Sequence, residues 1–177
     1  MLIPSLFPGV GHGEQKALSD AHGHIFQSRF LNLVRPFAFA SDLIHMLHEA
    51  GKQVLLVSSS DNKEIEHYAG LLGIERDLTG TVGYDDVNQT KPAGDLFSVA
   101  LCKARVEGTK AVAVGDTPYD VEAAAKCGVG TIALRSGGFT DERLRAVAPL
   151  AIVTSINTLF SGLGKSLRGD GNRHGAL

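Results

Sequence analysis

The chain has 177 residues, 44% of them apolar and 20% charged, and a formal net charge of −2. That balance suits a globular domain with a real hydrophobic core. The near-neutral charge leaves no broad basic field, and no apolar run approaches the roughly 18 residues that span a bilayer, so neither nucleic acid nor membrane is an expected partner.

The first residues, Met1 to Pro8, are apolar but carry no basic leader and no long uninterrupted core, and do not read as a signal peptide. Residues 14–36 place Leu18, His22, Ile25, Phe26, Phe30 and Leu33 in a helical stripe with no strand beside it, which sets residues 1–36 apart. A second helix is expected from about Ala40 to Ala50, ended by Gly51. Gln53 to Val57 is a continuous apolar run, as in a parallel strand covered on both faces. Asp61 and Glu64 then stand at capping-box spacing before a helix that ends at Gly73.

The same alternation continues. Leu78 to Val82 reads as a short strand, Asp95 to Arg105 as a helix, and Ala111 to Val114 as a strand. Thr117 and Pro118 are a natural cap and first helical residue for a helix running to Lys126. Thr131 to Leu134 is a strand, Asp141 to Val147 a short helix, and Ala151 to Val153 a final strand. Strands alternating with helices imply an α/β fold with a doubly wound, Rossmann-like parallel sheet. The segment from Ser161 is glycine-rich and polar and reads as a disordered tail, residues 161–177. Cys102 and Cys127 have no zinc or redox spacing and are expected as reduced, buried thiols of a cytoplasmic protein.

Ligands of open parallel sheets gather outside the carboxyl ends of the strands, and three polar groups fall there. Ser58, with Ser59 beside it, follows Leu55-Leu56-Val57; its hydroxyl can donate to an anion at a helix start, or the serines merely cap the helix. Lys91 is held off helix by Pro92; its ammonium can offset phosphoryl charge, or it is an ordinary solvated lysine. Asp116 follows the run Ala111 to Val114, and Asp120 lies one turn further. The pair can face one hard cation such as Mg²⁺, or both can serve the helix dipole. His22-Gly23-His24 has no acid or cysteine at ligand spacing and reads as helix surface, as do His45 and His48.

Taken in order, Val54-Leu55-Leu56-Val57-Ser58, Lys91-Pro92 and Val114-Gly115-Asp116-Thr117-Pro118-Tyr119-Asp120 resemble motifs two, three and four of the haloacid dehalogenase (HAD) superfamily. The resemblance spans about residues 1–160 and is nearest to phosphoglycolate-phosphatase-like members. It implies a remnant of a helical cap in residues 1–36 and the α/β core in residues 37–160. It also implies that Ser58 and Lys91 act on the transferring phosphoryl group, and that Asp116, helped by Asp120, holds Mg²⁺. Family members attack phosphorus with an aspartate of a first Asp-x-Asp motif, splitting one hard displacement into two easier steps. No Asp-x-Asp occurs anywhere in this chain. The family's first strand lies between those ending at Ser58 and Gly115, so a core lacking it is expected to expose apolar edges and leave backbone groups unpaired.

The leading expectation is a Mg²⁺-dependent phosphatase of a small phosphorylated metabolite, impaired in this chain because the nucleophile is absent, as in a truncated or mis-started product. The second is a non-catalytic truncated fragment that binds a phosphorylated ligand or a partner chain. A receiver-type signalling domain ranks last, because there the acidic pair comes early and the lysine late, the reverse of Lys91 before Asp116. The residues select no oligomeric state.

Overall fold

The computed structural model describes residue 7 and residues 9–169, and the chain divides into two compact units, Met1–Pro36 and Phe37–Leu177. The first unit holds helix α1, His12–Ile25, capped at Gly11 N–H by the Glu14 carboxylate. The helical reading of residues 14–36 holds only in part. Beyond Ile25 the chain widens into a π-turn, Phe26–Phe30, and tightens into a 3-10 turn, Leu31–Leu33. The Ser28 hydroxyl donates to Ile25 O at 3.3 Å, one of the local bonds by which serine competes with a regular helical ladder.

The second unit follows the alternation of the sequence. Helix α2 is Ala40–Glu49, strand β1 Leu55–Val57, α3 Asn62–Leu72, β2 Gly80–Val82 and α4 Asp95–Ala104. Then come β3 Val112–Gly115, α5 Pro118–Ala125, β4 Gly130–Leu134, α6 Asp141–Arg145, β5 Ala151–Val153 and α7 Ile156–Gly169. The caps are chemical. Asp61 Oδ1 accepts from Glu64 N–H at 2.8 Å to start α3, and Gly73, at φ 68°, ends it in the left-handed conformation that glycine adopts without strain. The expected tail is corrected: α7 continues through residue 161 to Gly169, and Phe160 stacks on Phe39 with ring centroids 5.6 Å apart. Residues 170–177 lie outside the described residues.

All strand pairs are parallel, but the sheet is in two pieces, β1–β2 and β3–β4–β5. Helix α4 packs on the first piece and α5 on the second. Leu55 and Val57 join Val82, Leu96 and Ala100 in one apolar cluster; Ala113 joins Phe97, Ala123, Ala124 and Val129 in another. Val54 O accepts from Thr79 N–H at 2.7 Å and Ser58 N–H donates to Val82 O at 3.0 Å, so residues 54 and 58 turn their backbone toward β2. By the alternation of a strand, Leu55 and Val57 turn theirs toward the opposite edge. Among the described residues that edge of β1 and the outer edge of β3 have no strand partner. On β3, Val112 and Val114 are 61% and 50% exposed.

Candidate functional site

The Lys91 loop is pinned from several sides. Pro92 follows it across a cis peptide bond. Lys126, just past α5, donates to Pro92 O at 2.7 Å, and Cys127 Sγ donates to Gly94 O at 3.2 Å. The Lys91 ammonium lies 5.9 Å from the centroid of the Phe97 ring. Held this way, Nζ sits 2.7 Å from Asp120 Oδ1 and donates to Val57 O at 3.2 Å, the last carbonyl of β1. With 17% of its side chain exposed, this is not a solvated lysine.

Asp120 comes from the first turn of α5. Thr117 caps that helix, accepting from Asp120 N–H at 3.2 Å while its hydroxyl donates back to Asp120 Oδ2 at 2.8 Å. The same Oδ2 accepts from the backbone N–H groups of Asp116 at 3.2 Å and Thr117 at 3.0 Å. Burial works to raise the Asp120 pKa. It is outweighed by the Lys91 ammonium and by the bonds from Lys91 and Thr117, which hold the carboxyl below its ordinary value. A Cβ at Gly115 would press into the Asp120 side chain, so the tight strand-to-helix turn needs glycine there.

Asp116 is partly exposed, at the carboxyl end of β3. Its Oδ2 accepts from the Ser136 hydroxyl at 3.0 Å, and a Cβ at Gly137 would collide with its backbone carbonyl. Ser136 was missed by the sequence reading. The signal was present, since Ser136 lies two residues past the carboxyl end of β4, much as Ser58 directly follows β1. Ser58 itself is half-buried, its Oγ accepting from Ser60 N–H at 3.1 Å, the bond of a local turn. Ser59 is exposed.

The chain thus brings Lys91 and Asp120 into contact, sets Asp116 beside them through its backbone, and ends β1 on the same ammonium. The donors fit a divalent cation unequally. Asp116 Oδ1 has no hydrogen bond among the described residues, so it can serve as one ligand. Both oxygens of Asp120 are engaged, Oδ1 by Lys91 and Oδ2 by Thr117. Among the described residues, no group of three or more His, Cys, Asp or Glu side chains could hold a metal ion. Cys102 is exposed and Cys127 half-buried, both free, which corrects the expectation of two buried thiols. No described helix is long and apolar enough to cross a membrane.

Comparisons with known proteins agree on one neighbourhood. The family described as haloacid dehalogenase-like hydrolase matches residues 10–134. A phosphoglycolate phosphatase from Salmonella paratyphi A is 25% identical over 128 residues, 72% of this chain and 51% of that protein. A pyrophosphatase, PpaX, from Halalkalibacterium halodurans is 22% identical, over 88% of this chain and 71% of its own length. A crystal structure of a hydrolase from Pseudomonas syringae superposes with a TM-score of 0.80 at 22% identity, covering 88% of this chain and 72% of that one. The chain spans about half the length of the phosphoglycolate phosphatases it matches.

Proposed function

The chain belongs to the haloacid dehalogenase-like hydrolases, and on that premise we propose that its second unit carries the phosphoryl-binding half of a Mg²⁺-dependent phosphatase for a small phosphorylated metabolite. The observation that carries this reading is the Lys91 ammonium held between the end of β1 and Asp120 at the start of α5. Two crossover units thereby put an ammonium and a carboxylate in contact, at the end of the strand that leads into Ser58.

In this reading Lys91 offsets charge on a phosphoryl oxygen, where a pre-oriented cation with little water around it acts most strongly. Ser58 gives up its local bond to Ser60 and donates to a second oxygen. Asp120 keeps Lys91 and the Thr117 turn in place. Asp116, oriented by Ser136, is the residue that holds Mg²⁺, which takes one or two carboxylates beside waters and substrate phosphate. Such an ion, when bound, neutralises phosphoryl charge. Residues 1–36 fit the remnant of a helical cap.

For the 177-residue chain by itself, the second reading, a binder without turnover, is favoured by one observation: no Asp-x-Asp is present to attack phosphorus. An assay with p-nitrophenyl phosphate and Mg²⁺, run beside a thermal melt with inorganic phosphate, separates the two. We expect a raised melting temperature and no turnover. Turnover abolished by Asp116→Ala would overturn the expectation of impairment; an unmoved melting temperature would overturn phosphate binding.

A further inference from the structure

Helix α5 meets the Lys91 loop at both of its ends. At its start, Asp120 holds the Lys91 ammonium at 2.7 Å. Just past its end, Lys126 Nζ donates to Pro92 O at 2.7 Å and Cys127 Sγ to Gly94 O at 3.2 Å. A lysine at a helix C-terminus is ordinarily satisfied by the helix's own last carbonyls and dipole; this one reaches a carbonyl 34 residues earlier in the chain. Inside the loop, Ala93 N–H donates to Thr90 O at 3.0 Å and closes a turn around Lys91 and Pro92. A grip on Pro92 O therefore sets the turn that carries Lys91. The approach is close: a Cβ at Gly94 would stand 3.0 Å from Cys127 Sγ and 3.3 Å from Lys126 Cβ, so a side chain there would push the loop off the helix.

We propose that Lys126 and Cys127 are positioning residues for the anion site, holding the turn that bears Lys91 against α5 so that its ammonium stays on Asp120 and Val57 O. The inference rests on the reading of Lys91 as a phosphoryl ligand. A lysine stem is flexible, and its charge serves an anion best when its place is fixed beforehand. Asp120 fixes the tip alone. Lys126 and Cys127 fix the backbone from which the stem starts, and because their bonds go to loop carbonyls, they act through Lys91 and not on the anion itself. Both side chains line an open groove beside Ser98, Leu101 and Arg105, so replacing them empties no closed cavity.

Trace acetylation of the full chain, read lysine by lysine in a mass spectrometer, reports how firmly Lys91 is held with no phosphate present. Lys126→Met and Cys127→Ala remove the two donors, while Lys126→Arg and Cys127→Ser keep one at each place. Lys103, which donates to Thr81 O on the first sheet piece, is the internal reference. Lys91 is expected to react about fivefold faster in the Met and Ala variants, the loss of one hydrogen bond of ordinary net strength. Lys103 should not change, and the Arg and Ser variants should stay close to the native chain. Calorimetric affinity for inorganic phosphate is expected to fall by a similar factor in the first two variants and to recover in the other two. Unchanged Lys91 reactivity, an equal rise at Lys103, Arg and Ser variants as impaired as Met and Ala, or a phosphate affinity indifferent to all four overturns the proposal. A native chain with no affinity for phosphate defeats the phosphoryl reading, and the labelling still decides whether Lys126 and Cys127 hold Lys91.

Discussion

At Asp120, burial and charge pull in opposite directions, and the Lys91 ammonium decides the outcome. The residue is 8% exposed, so removing its partner leaves a charge with neither water nor counter-ion. Lys91→Ala is therefore expected to cost about 3 kcal/mol in urea unfolding, as for broken buried pairs. Lys91→Met combined with Asp120→Asn should recover part of that loss. The pH dependence has a definite sign. Because the folded carboxyl lies below its ordinary value, its contribution is present above the unfolded pKa of about 4 and is lost as pH falls through the folded pKa. A melt series across acid pH should show this decline and lose part of it in Asp120→Asn. An identical acid limb in both proteins would mean that Lys91 and Asp120 are not paired in solution.

At the scale of elements, local chemistry wrote most of the boundaries. Thr117 and Pro118 start α5 where the sequence places them, Asp61 starts α3, and the apolar runs become strands within a residue or two. The roles of paired groups were less legible. Asp116 and Asp120 share a helix start in sequence, but only the fold brings Lys91 to one of them and Ser136 to the other. Residues 161–169 misled because glycine and serine count against a helix by composition. The helix they extend buries Leu159 and packs on α2 and β5, and packing overrides propensity. Thr131 on β4 is 2% exposed, and its hydroxyl has no partner among the described residues. Thr131→Val should therefore raise stability by about 1 kcal/mol in denaturant unfolding. A loss instead would show that the hydroxyl is satisfied in solution.

Over the whole second unit, the sequence foresaw a parallel α/β core with a break between the strands ending at Ser58 and Gly115. The two sheet pieces and the exposed valines of β3 match that expectation. It was legible because the resemblance to the family carries that family's strand order. What sequence could not supply was the bridge: a lysine 34 residues from the carbonyl it binds, joining both pieces at their carboxyl ends. If that bridge marks one pocket for anion and cation together, each ligand must favour the other, by the same factor in both directions. The decisive measurement is a calorimetric titration of Mg²⁺ into the chain with and without saturating inorganic phosphate, repeated for Lys91→Met and Asp116→Asn. The account predicts Mg²⁺ binding about fivefold or more tighter with phosphate, with the coupling lost in both variants. Mg²⁺ affinity indifferent to phosphate, or coupling that survives either substitution, would contradict it.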